Sequence, residues 1–542
     1  MDFDLVIHNG TVIDGTGRPR FHADVGIRAG ILAAVSSGER LEGRRSIDAS
    51  NMIVAPGFVD IHSHADWILP LPDHDEILAP LLLQGVTTLV TGNCGFSPAP
   101  VTEKAIPAVD GFSETMRERD FPYEWRSFKE FLSAIKQVKP LLNAAFLVGH
   151  GTLRSVVMGN QAGPPSSSEL VALRNMVKES IQQGAFGLSA GLAYAPGVFA
   201  KNEELLELLK VVAQQGAIFT VHGRAYSWVS PFYTPMFFGT PHNVRSEREL
   251  ISLARQAGVR LQLSHQIFVG RRTWRTHRTV LQDIEQAAND GLDVAFDAFP
   301  YTVGNSLVNV IFPEWFLNGF KEKINDPASL KKLRNEINLL KLALGIDFKD
   351  IRLLVAYHPD LVELEGLDFE NIAQKLKMDK FEAYIHVARL SAGQARILLG
   401  TYSGDWQNER PLQAALSHPL CSFMTDTILT RQSAHNPASF GSFPRVLGHF
   451  CRDQGLFSLE EAIHRMTSFS ADRIGLKGIG RIAEGLPADL VVFNPQTVAD
   501  NTTPEVSDAP PSGIEAVLIS GQIVVQKGEL NHSIRCGRVL YN

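Results

Sequence analysis

Apolar and polar positions in the middle of the chain follow one repeated order. A segment with helical periodicity ends at glycine, a short apolar run follows, and a polar residue closes the unit. "SELVALRNMVKESIQQG" precedes "AFGLSAG", and "NEELLELLKVVAQQG" precedes "AIFTVHGR". "SERELISLARQAG" precedes "VRLQLSHQ", and "HRTVLQDIEQAANDG" precedes "LDVAFDAFPY". Glycine suits the left-handed cap that ends a helix, and an unalternating apolar run suits a strand buried on both faces. The alternation predicts parallel βα units. Eight such strands are expected: "GFVDI", "VTTLVT", "NAAFLV", "AFGLS", "AIFTV", "VRLQLS", "LDVAF" and "CSFMT". Eight is the number that closes a TIM-type (β/α)8 barrel, so the expected fold class is α/β.

The ends of the chain read differently. "DLVIHNGTVIDGTG" and "ADVGIRAGILAAV" near the start, and "ADLVVFNP" and "IEAVLISGQIVVQKGEL" near the end, are short strands punctuated by Gly and Asp. Residues 1–55 and 478–542 are therefore expected to form one small β-domain, and residues 56–477 the barrel. Residues 302–415, between the seventh and eighth strands, are too many for a bare loop. They contain helical stretches such as "DFENIAQKLKMDKFEAYIHVARLS" and predict a helical, lid-like insertion. A late helix starts at "SLEEAIHRMTS", where Ser458 and Glu461 have capping-box spacing.

Composition narrows the class without naming it. The 542 residues are 44% hydrophobic and 20% charged, ordinary for a globular protein, and the net charge of −7 carries no footprint for nucleic acid or an anionic membrane. Cys94, Cys421, Cys451 and Cys536 lack CxxC spacing, so a reducing compartment is expected. The start "MDFDLVIHNG" has acidic residues where a secretory signal is basic, and no run is apolar enough to span a membrane. A cytoplasmic location is the expectation.

Chemistry gathers where barrel enzymes keep it, at the C-terminal ends of the strands. The first strand ends in His62 and His64, the second in Cys94, the fifth in His222, the sixth in His265 and the eighth in Asp426. Residues two apart on a strand face the same way, so His62 and His64 can aim two imidazoles at one point. Four His, one Cys and one Asp form a ligand set for zinc or a similar divalent ion, and a thiolate favours zinc over magnesium. A metal lowers the pKa of its water to about 7, which makes hydroxide available at neutral pH. Asp426 has two possible tasks, as a ligand or as the base that takes the water's proton and returns it to the leaving group. Together these parts point to hydrolysis of an amide or, second, an ester. Each motif also has a plainer reading: a lone His after a strand is more often hydrogen-bonded than metal-bound, and a lone Cys is usually a small buried hydrophobe. It is the coincidence of six at the right strand ends that carries the metal reading.

"GFVDIHSHAD", "TGNCGFSPAP", "VGHGTLR", "GAFGLSAGLAYAPG", "DAFPY", "FGSFPRVLGHF" and "GRIAEGLPADLVVFNP" resemble the N-acyl-D-amino-acid deacylases (D-aminoacylases) of the amidohydrolase superfamily. The resemblance covers nearly the whole chain, and "TGNCG" is its most specific motif. It implies a barrel with a small β-domain from both termini, acting on a small-molecule amide; homo-oligomerisation stays open. It implies that Cys94, His222 and His265 hold a tight Zn2+, that His62, His64 and Asp426 face a second, weaker metal, and that Asp426 is catalytic. Asp426 stands in "TDT" where the family usually has "SDG".

Three departures bear on the substrate. The family often carries a lysine two residues past the sixth-strand histidine, and this chain has Ile267. The family's "HPR" becomes "HNPA" at residues 435–438. Its "HxRxE" becomes "HGRAYSW", which keeps Arg224 and adds an aromatic loop. Arg224, Tyr194 and Tyr301 are the expected substrate-binding residues. A buried carboxylate without a cation is costly. So either Arg271, Arg272, Arg275 or Arg431 supplies charge from a new direction, or the substrate is bulkier and lacks a free carboxylate. The alternatives are a cyclic amidase of the hydantoinase or dihydroorotase kind, or a barrel that has become a non-catalytic scaffold.

Overall fold

The structure is a computed structural model that describes residues 3–159, 161–405, 407–431, 436–503 and 506–542. The barrel strands are Phe58–Asp60, Val86–Thr91, Asn143–Phe146 continued by Val148–Gly149, Gly187–Gly191, Ile218–His222, Arg260–Leu263, Val294–Ala298 and Cys421–Phe423. Each pairs in parallel with its neighbour in chain order. The third strand is interrupted at Leu147. There the Leu147 N–H bonds Thr91 O at 2.8 Å on one side, and the Phe186 N–H bonds Phe146 O at 2.9 Å on the other. The first and eighth strands meet just past their regular portions. Ser63 pairs in parallel with Thr427, the Asp426 N–H donates to His62 O (3.0 Å) and the His64 N–H donates to Thr427 O (3.0 Å). This ladder closes the barrel, and it brings the first metal-candidate pair directly against Asp426.

The strands are buried on both faces, which is why they read as continuous apolar runs. The intervening helices are amphipathic. Ser127 with Glu130 and Ser166 with Glu169 form reciprocal capping boxes at two of them, and Ser458 caps the late helix Leu459–Met466. Gly258 ends His242–Ala257 in the left-handed conformation, φ 67°.

The two ends of the chain share one nine-stranded sheet. Ile53–Pro56 from the first segment pairs antiparallel with Leu490–Phe493 from the last, which joins the two halves. In the hairpin of Ile514–Ile519 with Gln522–Gln526, both turn residues have positive φ, Ser520 at 48° and Gly521 at 73°. That geometry matches the right-handed twist of the strands. The chain's last residues leave this sheet and return to the barrel, where the Leu540 N–H bonds Ala144 O at 2.9 Å.

The stretch between the seventh and eighth strands carries the helices expected of the insertion and adds a sheet that was not expected. Its helices, among them Pro327–Leu344, Phe369–Leu376 and Lys380–Leu390, pack on a three-stranded antiparallel sheet. In that sheet Arg396–Leu399 lies between Gly304–Leu307 and Ile351–Val355. The runs "IRLLV" and "RILL" are too short to set a period of their own, and burial on this sheet makes them strands. Leu333, Ile337, Phe369, Tyr384 and Ile397 build a core separate from the barrel's. Helix Arg410–Leu416, within the same stretch, packs instead on the barrel helix His277–Asn289.

Candidate metal centre

Six side chains from five strand ends meet at the C-terminal mouth of the barrel. Cys94 Sγ lies 3.3 Å from His62 Nε2, 3.5 Å from His265 Nε2 and 3.9 Å from His222 Nδ1. Asp426 Oδ1 lies 3.4 Å from His62 Nε2 and 3.5 Å from His64 Nε2. Two overlapping trios share the thiol: His62, His64 and Cys94, and Cys94, His222 and His265. Ligands of one tetrahedral zinc, with bonds of about 2.0–2.3 Å, lie roughly 3.3–3.8 Å apart. The observed separations fall in or beside that range, so the donor set fits a divalent ion.

The backbone is bent to place these groups. Cys94, His265 and Asp426 all have positive φ, 56°, 33° and 52°. Non-glycine residues seldom adopt this region, and such residues collect at functional sites. The glycines of "TGNCG" and of the fourth strand make room for the Cys94 turn. A Cβ on Gly95 would stand 2.7 Å from Gly191 N, and one on Gly191 would stand 2.3 Å from Cys94 O. Any side chain at either position would push the thiol-bearing turn off the strand.

The electrostatics of the cluster favour positive charge at its centre. Burial pushes the Cys94 thiol up, but the neighbouring His62 and His265 charges and hydrogen bonds from His222 and His265 bring it well below its usual range. Burial lowers the His62 imidazole, and the Cys94 and Asp297 charges overcome this and raise it. His64 goes the same way, to about 9, on its hydrogen bond with Asp426 and the Cys94 thiolate. His222 is lowered by burial and by His265. Burial would raise Asp426, but the hydrogen bond from His64 and the charges of His62 and His265 bring it to about 2. Asp426 is thus ionised, and at 24% side-chain exposure it is more open than its histidine partners.

A supporting layer holds the ligands, and here sequence reasoning left residues unnamed. Asp297, in "DAFPY", accepts the His265 N–H at 2.7 Å and sits 3.3 Å from His62 Nδ1; its other oxygen accepts from Gln262 at 2.9 Å. Such outer partners set the orientation of metal-binding imidazoles. Asp60, two residues before His62, accepts the Thr425 N–H at 3.1 Å and the Thr425 hydroxyl, and burial raises it to about 7. The available signal was an acid inside an otherwise apolar strand. Tyr226, in the aromatic loop, packs its ring 5.0 Å from His222 and 5.1 Å from His265, and donates its hydroxyl to Ser264 O at 2.9 Å.

The three expected substrate residues are placed differently. Tyr194 is in the cluster: its hydroxyl donates to Cys94 O (3.0 Å) and its ring lies 4.9 Å from His222. Arg224 is engaged by Glu249 (3.0 Å) and by the Ala200 carbonyl (2.7 Å). Tyr301 donates to Asp500 at 2.8 Å beneath the Arg445 guanidinium. Of the other candidate cations three are engaged, and Arg272 is exposed without a side-chain partner among the described residues. Arg271 forms a fork with Asp350 (2.7 and 2.8 Å), Arg431 holds Asp73 and Asp120 (2.7 Å each), and Arg275 stacks on Trp228 at 4.2 Å. Ile267 is buried with Phe299, Met424 and Tyr301. His435 lies outside the described residues.

The pattern of the amidohydrolase family matches residues 45–312 and 399–525. D-aminoacylase of Alcaligenes xylosoxydans xylosoxydans is 31% identical over 539 residues, spanning 99% of this chain and 97% of that protein. This chain belongs to the amidohydrolase family, in its D-aminoacylase branch. The family match breaks at residues 313–398, most of the inserted sheet and helices. N-acyl-D-glutamate deacylase from Bordetella bronchiseptica, solved with zinc and a phosphonate mimic of the tetrahedral intermediate, superposes with a TM-score of 0.80 at 29% identity over 100% of both chains. A D-aminoacylase described as having a binuclear metal centre superposes equally, TM-score 0.80 at 30% identity over 100% of both chains. As a member of this family the chain is a metal-dependent hydrolase of carbon–nitrogen bonds other than peptide bonds.

Proposed function

We propose that the protein hydrolyses a linear amide, as an N-acyl-D-amino-acid deacylase-like enzyme. The observation that supports this reading most directly is the convergence of Cys94 with three imidazoles beside an ionised, partly exposed carboxylate. Cys94, His222 and His265 would hold the tighter zinc, because thiolate and imidazole are its preferred donors. His62, His64 and Asp426 would face a weaker second position. When bound, the metal acts as a Lewis acid and makes hydroxide accessible near neutral pH.

The rest is done by the chain. Asp426 takes the proton of the attacking water at Oδ1 and later gives it to the departing amine nitrogen. His64, 3.5 Å away, holds that carboxylate in place. Asp297 orients His62 and fixes the turn at His265. Tyr194 and Tyr226 wall the histidine side of the site and limit water there. No cation stands at Ile267; Arg224, Arg271, Arg275 and Arg431 are engaged by acids, carbonyls or rings, and Arg272 is exposed. A substrate with its carboxylate next to the scissile bond would bury that charge unpaired. The reading is therefore of a bulkier amide, or one without a free carboxylate at that position.

The test is a screen of the zinc-loaded enzyme on N-acyl-D-amino acids, their amides and esters, and bulky aromatic amides. Hydrolysis of bulky or uncharged amides above simple N-acyl-D-amino acids is expected, with activity lost on chelation and restored by zinc. The Ile267→Lys variant should improve use of simple N-acyl-D-amino acids by about tenfold or more, the worth of one charged hydrogen bond. A loss on those substrates would overturn the account of the pocket, and zinc-independent turnover would overturn the mechanism.

A further inference from the structure

Three arginines rank among the largest fully buried side chains: Arg154, Arg396 and Arg465. Two of them have evident partners. Arg154 pairs with Glu204 and donates to Gly163 O at 2.7 Å. Arg465 donates to the carbonyls of Cys421 (2.8 Å) and Leu416, approaches Glu461 at 3.4 Å and lies over the Phe423 ring at 4.3 Å. Arg396 differs. It is 1% exposed, and its Nη1 has no hydrogen-bond partner. Its Nη2 reaches the Ile428 carbonyl at 3.5 Å, beyond the usual range of a good N–H···O bond. Among the described residues no carboxylate stands within ion-pair distance, and its other polar partner is the Tyr357 hydroxyl, a neutral group whose hydrogen bond only partly offsets burial. Burial accordingly pulls the guanidinium below its ordinary pKa. A buried charge left in this way is costly, and proteins rarely keep one without use.

Its position indicates the use. Arg396 opens the central strand of the inserted sheet, where Ile397 and Leu399 point into the insert's own core. By strand alternation Arg396 and Leu398 occupy the opposite face. Asn305, whose buried Oδ1 is also without a partner, shares that face through the register that pairs Leu307 with Arg396 and Asn305 with Leu398. This face turns to the loop after the eighth barrel strand. Ile428, which Arg396 touches, is two residues past Asp426, and Thr427 between them accepts the His64 N–H. Tyr402, just past the same insert strand, packs against the apolar cluster that contains Ile267 and Met424. The unpaired guanidinium and the metal cluster thus lie on two sides of one short loop.

We propose that Arg396 is the anion receptor of this enzyme, taking a carboxylate set apart from the scissile amide by a spacer. The site rests on the deacylase reading and defines its substrate class: an N-acylated amine that is neutral next to the amide, at Ile267, and anionic at its far end. The planar fork of arginine pairs with both oxygens of a carboxylate, and such a pair replaces the long Ile428 contact with two charged hydrogen bonds.

The experiment compares the zinc-loaded parent, Arg396→Lys and Arg396→Met on a graded series of N-acetyl-ω-amino acids and on their primary amides. At one chain length the parent should prefer the carboxylate over its amide by about 100-fold in kcat/KM. Arg396→Met should abolish that preference through KM, leave turnover of the neutral amides unchanged, and melt no lower than the parent. Arg396→Lys should keep part of the preference. Equal losses on charged and neutral substrates, or a preference that survives Arg396→Met, would overturn the proposal. If Arg396→Met does not fold, Arg396→Lys decides alone: a drop in preference of tenfold or more supports the receptor, and no change overturns it. If nothing in the series is hydrolysed, the substrate screen above judges the deacylase reading and binding decides the receptor. Sodium glutarate should then raise the melting temperature of the parent and not of the Arg396 variants; no difference between them would end the proposal.

Discussion

Two buried clusters of titratable side chains lie at strand ends of this barrel, and they differ in how their charges are met. In one, Glu204 on helix Asn202–Gln214 takes His150 on one oxygen at 2.9 Å and Arg154 on the other. His150 and Arg154 share the helix that follows the third strand, one turn apart. The acid is answered twice over, and the cluster ties two neighbouring helices together. In the other, Cys94, His62, His64, His222, His265 and Asp426 aim their heteroatoms at common points. Both clusters are buried, and both contain histidine beside an acid. The difference is that in the first each charged group faces an opposite charge within the chain, whereas in the second the donors converge on points that a cation would complete. Closure of charge within the chain marks structure, and convergence without closure marks a site.

The strongest way to break this comparison is to remove one member of each cluster. Asp426→Asn should reduce kcat by several orders of magnitude, because an amide cannot carry the proton between water and amine. Zinc bound through Cys94, His222 and His265 should remain, as measured by metal analysis of the purified variant. Turnover within a few-fold of the parent would remove Asp426 from the chemistry. Glu204→Gln should behave oppositely. It leaves Arg154 buried beside a neutral amide, a loss of roughly 3–5 kcal/mol of stability, while kcat well below the melting temperature changes little. A collapse of kcat in a folded Glu204→Gln protein would erase the distinction between the clusters.

The same variant carries a pH signature. Burial would raise Glu204, but His150 and Arg154 together hold it below its ordinary value. A carboxylate with a depressed folded pKa adds stability above its unfolded value, and that stability is lost as pH falls through the folded one. The gap in melting temperature between parent and Glu204→Gln should therefore be widest near neutrality and close on acidification. A gap that stays constant with pH would mean that Glu204 acts by packing rather than by charge.

Sequence patterning carried the barrel and the convergence of side chains at its mouth because both are local signals. A helix closed by glycine and followed by an apolar run states each βα unit, and the polar residue after each run marks the mouth. The pairing of the termini was legible for the same reason, as two short-strand textures at opposite ends. The inserted sheet was not legible. Its strands are four or five residues long, and their partners lie far apart in sequence. Asp297 and Asp60 were likewise hidden, since a single acid within an apolar strand does not declare which backbone or imidazole it will meet. Arg224 and Tyr301 show the converse limit. Their residue types suit a substrate pocket, but Glu249 and Asp500, distant in sequence, engage them in the folded chain. Arg396 could not have been selected at all, because its lack of a charged partner is a property of the fold.

Glu247 gives the comparison its finest test, because it is neither paired nor convergent. It lies buried on helix His242–Ala257 with Oε1 unpartnered, and burial, aided by the Asp283 charge, raises it to about 8. An unpartnered group marks a metal or catalytic centre only where other donors converge, and none converges with Glu247 among the described residues. Its expected effect is on stability only. The folded chain binds this proton more tightly than the unfolded chain, so the associated stability is full below the ordinary glutamate pKa and drains away as pH rises through about 8. Glu247→Gln keeps the shape and removes the titration. It should melt close to the parent at pH values below that of a free glutamate and a few degrees above it on the alkaline side, with kcat/KM unchanged throughout. A variant that loses kcat/KM while its melting curve keeps the parent's pH dependence would place Glu247 with the metal cluster, and the rule that convergence is needed for catalysis would fail at that residue.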